Sequence, residues 1–169
     1  MTQKAKHNKR GEAKEEAVPM DACQTSDRDD GEWVQRFIKL YQVLNADNLF
    51  LLDKMYHPDI VFTDPLHSIH GRDALTTYFA GLYQNLTYIR FDIHNVVQSR
   101  GTACLEWTME YAHKQVNKGQ KILVHGVTWL EFHELITRHR DYFDAGEMLY
   151  QHLPLMGMAI RAVKKRMAV

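Results

Sequence analysis

From residue 87 onward the chain changes its hydrophobic period. Residues 87–99, 102–114, 121–133 and 135–143 alternate between apolar and polar positions, the signature of half-buried β-strands. Arg100-Gly101 separates the first pair, and Asn117-Lys118-Gly119 sits between the second and third. Such links have room for a turn and little else, so the strands are expected to be antiparallel neighbours. A long sheet with one apolar face must lay that face on something. The cover has to come from the rest of the chain.

The first half supplies it. Trp33, Phe37, Leu40, Tyr41 and Leu44 fall at i, i+4, i+7, i+8 and i+11, one stripe of an amphipathic helix. Asn45-Ala46-Asp47-Asn48 breaks that helix. A short second helix is expected over 49–56, running up to His57-Pro58, and a short strand over 60–64, ended by Pro65. Gly71-Arg72-Asp73 opens a third helix, with a stripe of Leu75, Tyr78, Phe79, Leu82, Tyr83 and Leu86. The order predicts an α+β fold, a cone-like curved antiparallel sheet wrapped around the N-terminal helices with a concave pocket between them. Residues 1–30 are rich in charge and poor in large apolar groups, and are expected to be a disordered tail. The folded domain is expected over 31–144, followed by a helical extension over 145–169 that Pro154 interrupts.

Charge and cysteine content narrow the function. The 21 basic and 21 acidic residues cancel, which argues against a nucleic-acid partner, since phosphate binding needs a cationic surplus. Cys23 and Cys104 form no CxxC, and the N-terminus has no apolar leader segment, so a reduced cytoplasmic protein is expected. His67-Ser68-Ile69-His70 is the one close histidine pair and lacks a third ligand, so no metal is expected. No Gly-rich phosphate loop is present, and no cofactor is expected.

The chemistry-bearing residues gather in the last strand. Alternation sends Thr137, His139 and Asp141 to one face and Arg138, Arg140 and Tyr142 to the other. If the first face is inward, Asp141 is a carboxylate inside a core, a costly placement unless it is paired, hydrogen-bonded or protonated. On the 102–114 strand, Ala103, Leu105, Trp107, Met109 and Tyr111 share one face, which would make the cavity greasy. His125 is expected on the outer face.

Residues 55–65, 70–75 and 136–144 resemble the nuclear transport factor 2-like (NTF2-like) superfamily, in its SnoaL-like branch, and the resemblance covers roughly 31–144. It implies the cystatin-like, NTF2-like cone. Asp64 lies where ketosteroid isomerases hold their general-base aspartate. The isomerase tyrosine would fall at Leu40, with Tyr41 adjacent, and its proton-donating aspartate near Thr128. Both oxyanion donors are therefore missing at their usual places, which counts against ketosteroid isomerisation. Asp141 falls on one of the two catalytic aspartates of the limonene-epoxide hydrolases, whose arginine and second aspartate align with Trp107 and Met109.

The resemblance and the residues together mark Asp141, Asp64 and His139 as catalytic candidates. Trp107, Met109, Thr128, Tyr41 and Tyr78 are candidates for ligand binding. The expected function is a small-molecule pocket protein, an isomerase, hydrolase or cyclase acting on an apolar substrate by aspartate-mediated proton transfer. The alternative is a noncatalytic ligand-binding or accessory protein of the same fold. Related folds pair through the outer sheet face, so a homodimer is expected there, around Glu106, Thr108, Glu110, Val127 and Trp129. The C-terminal helix is expected to pack on the domain, its basic end complementing the helix dipole, and membrane contact through it is not expected.

Overall fold

The four period-two segments form four strands close to their expected limits: β3 (Leu86–Ser99), β4 (Thr102–His113), β5 (Ile122–Phe132) and β6 (Ile136–Phe143). The computed structural model describes residues 20–167. Before these strands come α1 (Met20–Val43), a 3-10 turn at Leu49–Lys54, β1 (Tyr56–Thr63), β2 (Ser68–His70) and α2 (Arg72–Gln84). After them come α3 (Ala145–Met148), a 3-10 turn at Tyr150–His152 and α4 (Pro154–Met167).

The sheet order is β2-β1-β6-β5-β4-β3. The other neighbouring strands pair antiparallel, but β1 and β6, far apart in sequence, lie side by side and parallel. That one parallel pair departs from the all-antiparallel expectation. It brings the end of β1, which leads into Asp64, beside the strand that carries Asp141. The β3–β4 hairpin turns at Gly101, where φ is +67° and an added Cβ would lie 2.9 Å from the Phe132 carbonyl oxygen. Only glycine meets both demands without strain.

Helix α1 crosses the inner face of the sheet. Val34, Phe37 and Leu44 are buried there against Leu105, Leu130, Phe132 and Ile136. Trp33 stacks on Phe132 with ring centroids 4.2 Å apart, and its indole N–H donates to the Glu134 carbonyl at 3.0 Å. The helix begins at Met20, ahead of the expected start near residue 30; once the packed stripe has nucleated a helix, each further residue costs little to add. Residues 1–19 of the expected tail lie outside the described residues. Asn45 and Asn48 break α1 as expected, through side-chain bonds to local backbone: Asn48 Oδ1 accepts from Asn45 N–H at 2.7 Å and Asn45 Oδ1 from Asp47 N–H at 2.8 Å.

A second set of buried side chains, Trp107, Met109, Tyr111, Val116, Ile122 and Val124, fills the other end of the sheet. The short α3 reaches this end. Asp144 caps it, its carboxylate accepting from Gly146 N–H at 2.7 Å and Glu147 N–H at 3.3 Å. Tyr111 holds it down, its hydroxyl donating to the Met148 carbonyl. The expectation that the C-terminal helix packs on the domain is corrected. α4 rests on the Tyr150–His152 turn with Gly157 buried, while Leu155, Met156, Met158, Val163 and Met167 are exposed.

Candidate functional site

Between the two sets of buried side chains lies a cavity of about 380 Å³. Its walls include Phe62, Phe79, Phe91, Trp107, Met109 and Phe143, and Met148 at the end of α3 with the following Leu149 closes one side. Tyr41, Asp64, His67, Tyr78 and Asp141 also line it. The structure thus brings Asp64 and Asp141 to one space, which the sequence left open. It places Trp107, Met109, Tyr41 and Tyr78 on the same walls. Thr128 and His139 do not line the cavity; both lie buried behind Asp141. Each instead makes a hydrogen bond to Asp141 Oδ1.

That support is a chain of hydrogen bonds running across four strands. Trp107 Nε1–H donates to Thr128 Oγ1 at 2.8 Å. The Thr128 hydroxyl donates to Asp141 Oδ1. His139 Nε2 meets the same oxygen at 2.9 Å, and Tyr56 Oη meets His139 Nδ1 at 2.8 Å. A carboxylate only accepts, so the network assigns the proton of His139 to Nε2 and makes the Tyr56 hydroxyl the donor to Nδ1. Burial, and then the negative charge of Asp141, push the Tyr56 hydroxyl well above its ordinary range and keep it a donor.

Registry explains the line. Thr128 pairs with Asp141 and Leu130 with His139, while Leu105 faces Thr128 and Trp107 faces Gly126 on β4 and β5. A bulge on β6 falls between Ile136 and Arg138. It lets both Ile136 and His139 point inward, three positions apart, and Thr137 drops out of the inward set. Gly126 is the seat of the indole: a Cβ there would lie 2.2 Å from Trp107 Cη2. Any side chain at 126 would lift the ring and break its bond to Thr128.

All of this support reaches one oxygen. Asp141 Oδ2 has no hydrogen-bond partner among the described residues, and Asp141 lines the cavity. Asp64 is held differently. Its Oδ1 accepts from Leu66 N–H at 2.7 Å and His67 N–H at 2.6 Å, and its Oδ2 from the Tyr78 hydroxyl at 2.6 Å. It closes an Asx turn after β1 and anchors Tyr78. Burial, and then the bond to Asp64, raise the Tyr78 hydroxyl far above its usual value.

Tyr41 lines the cavity with a hydroxyl that has no hydrogen-bond partner among the described residues. Burial, and then the charge of Asp141, raise it well above the ordinary tyrosine range, so it is a neutral donor. Tyr41 is the residue next to Leu40, where the resemblance puts the isomerase tyrosine. Sequence reasoning did not pick out Tyr56 or Gly126. A fully buried tyrosine needs a partner, but nothing local to residue 56 points to His139. On the outer face, His125 is exposed as expected and lies 3.2 Å from the Thr108 hydroxyl. Cys104 lies on that face half-buried, not within the core.

Among the described residues no group of three or more His, Cys, Asp or Glu is placed to hold a metal. No described helix is long and apolar enough to cross a membrane.

A model of the SnoaL-like domain matches residues 37–139. No match is found among curated proteins. Solved structures share the fold at low identity. An NTF2-like protein of unknown function from Burkholderia pseudomallei K96243 is 17% identical with a TM-score of 0.60, over 69% of this chain and 93% of that one. A proposed SnoaL-like polyketide cyclase from Shewanella putrefaciens CN-32 is 16% identical with a TM-score of 0.60, over 69% and 93%. An epoxide hydrolase of the limonene-epoxide-hydrolase-like type from M. tuberculosis is 18% identical with a TM-score of 0.56, over 69% and 79%. At these identities the likeness is one of fold.

Proposed function

The chain belongs to the SnoaL-like domain family, and within it we propose that this protein takes an apolar small molecule into the cavity and moves a proton on it with Asp141. The observation that carries this reading is the asymmetry of Asp141: Oδ1 is held by Thr128 and His139, while Oδ2 is left to the cavity. A base needs a fixed orientation and a free lone pair, and this arrangement supplies both. On a carbonyl compound, Oδ2 takes a proton from the carbon beside the carbonyl. The electron pair moves onto the carbonyl oxygen, and the Tyr41 hydroxyl donates a hydrogen bond to the charge that develops there. Trp107 and Met109 hold the apolar body, and Tyr78, braced by Asp64, forms the opposite wall. Return of the proton to a different carbon is isomerisation, and attack of the enolate on a second carbonyl is cyclisation.

An apolar bicyclic ketone, 2-tetralone, tests the step without knowledge of the natural substrate. In D₂O the protein should speed exchange of the protons beside the carbonyl, followed by NMR. Asp141→Asn should slow that exchange by about 10²–10⁴-fold. A protein that binds the ketone and leaves exchange at the buffer rate would instead be the noncatalytic binder of the alternative reading.

The same proposal includes a homodimer through the outer sheet face, where Val97, Leu123, Trp129 and Tyr142 are exposed. Val97 and Trp129 both pair with Cys104, so they lie in one row across the strands, an apolar patch of the kind that marks interfaces. Trp129→Glu should halve the mass in sedimentation velocity; a monomeric parent protein would remove the claim. Cytoplasmic placement belongs to the proposal too and rests on the free thiol of Cys104.

A further inference from the structure

Helix α4 is turned with its apolar side away from the domain. Gly157 is the buried position, so close to the Tyr150–His152 turn that a Cβ would lie 2.3 Å from the Gln151 carbonyl oxygen. Gly157, Arg161 and Lys164 follow at i, i+4 and i+7, so the polar line of the helix faces that turn. Met156, Ile160, Val163 and Met167 recur at i, i+4, i+7 and i+11 along another line, while Leu155 and Met158 point to other sides of the helix. Leu155 is 78% exposed, Met167 80%, Met158 and Val163 55% each and Met156 45%. Five of the twelve exposed large hydrophobic residues among those described thus sit on this one helix of 14 residues. A helix belonging only to this domain would be rotated the other way.

The charges say what the apolar side meets. Arg161, Lys164, Lys165 and Arg166 lie within one and a half turns, and α4 has no acidic residue. The whole chain is neutral, with 21 charges of each sign, so this run without an acid is a local cationic excess. An exposed aliphatic stripe flanked by lysine and arginine fits the interface of a bilayer, with the stripe among the acyl chains and the cations at anionic headgroups. A second copy of α4 fits less well, because the helix carries four cations and no acidic residue and so offers its own copy no opposite charge.

We propose that α4 docks the protein on an anionic lipid surface. The docking side chains lie outside the Asp141 site, so the proposal stands or falls separately from the chemistry there. If both hold, the helix brings the α3 segment, which closes the cavity with Met148 and Leu149, to a surface in which apolar molecules dissolve.

Co-sedimentation of the full chain with vesicles tests it. Phosphatidylcholine vesicles carrying phosphatidylserine should bind at least about tenfold more protein than phosphatidylcholine alone, and added salt should release it. Met156→Glu with Val163→Glu should reduce binding about tenfold or more, and so should Lys165→Glu with Arg166→Glu. These positions are exposed, so an unchanged circular-dichroism melt verifies that the variants are folded. Equal pelleting with both kinds of vesicle would overturn the proposal. So would a protein that ignores vesicles while Val163→Glu halves its mass in sedimentation velocity, because the face would then belong to a second copy.

Discussion

Asp64 and Asp141 open into one cavity and are held in opposite ways. Asp64 has both oxygens occupied, by two backbone N–H groups and the Tyr78 hydroxyl. Asp141 has two donors, and both fall on one oxygen. Each donor lowers the readiness of a carboxylate to take a proton and fixes its position. Under the proposed chemistry, saturation on every side suits a structural brace, and saturation on one side suits an oriented base. The resemblance offered both aspartates as catalytic, and the distribution of donors separates them.

The largest contrast should come from removing each negative charge in turn. Asp141→Asn should cost about 10²–10⁴ in catalysed exchange, while Asp64→Asn should cost less than about tenfold, because an asparagine oxygen still accepts from the turn. Exchange rates that fall together would erase the distinction. Asp64→Ala shifts the cost to stability, about 1–3 kcal/mol in denaturant unfolding, because the Tyr78 hydroxyl and two turn N–H groups lose their acceptor.

Gly126→Ala attacks the Asp141 end without touching a polar atom. The new methyl enters the space of the Trp107 indole, and overpacking of this kind costs about 1–3 kcal/mol. The tryptophan emission should shift as the indole leaves Thr128. Thr128→Val, nearly the same shape, strands the Trp107 N–H and removes one donor from Asp141. It should destabilise by about 1–2 kcal/mol and lower kcat more than it raises KM.

The smallest effect reads tyrosines across the cavity. Burial pushes Tyr83 and Tyr111 up to about 12, from an ordinary value of 10.0, and Tyr78 higher. An unfolded chain loses these protons first, so their stabilisation is complete below the unfolded value and drains away as pH rises through the folded one. The unfolding free energy from urea titrations should fall between about pH 9 and about pH 11, by about 1 kcal/mol for Tyr111. A free energy constant over that range would place Tyr111 in water.

Strands β3 to β6 were legible because a period of two persists over eight or more residues and turn chemistry punctuates it. β2 was not, because three residues hold no period. The expected second helix is a 3-10 turn that ends at Lys54, and the chain is already extended at Tyr56, since Pro58 disfavours helix in the residue before it. Asp141 stood out as a charge on an inward face. Its partners did not, because Thr128, Tyr56 and Gly126 acquire their roles from register: Thr128↔Asp141 and Trp107↔Gly126 are facts of pairing, not of neighbouring sequence. The exposed side of α4 was misread for a related reason. The helix and its basic end were visible, but only packing shows that the polar line, through Gly157, is the one turned inward.

The central claim is that Asp141 presents its free oxygen to an apolar guest while Asp64 stays a brace. A crystal structure with 2-naphthol, an apolar bicycle carrying one hydroxyl, tests it most directly. The ring should lie against Trp107 and the hydroxyl within about 2.6–3.2 Å of Asp141 Oδ2, with the three bonds of Asp64 unchanged. A naphthol whose hydroxyl sits on Asp64 and Tyr78, with Asp141 untouched, would contradict it.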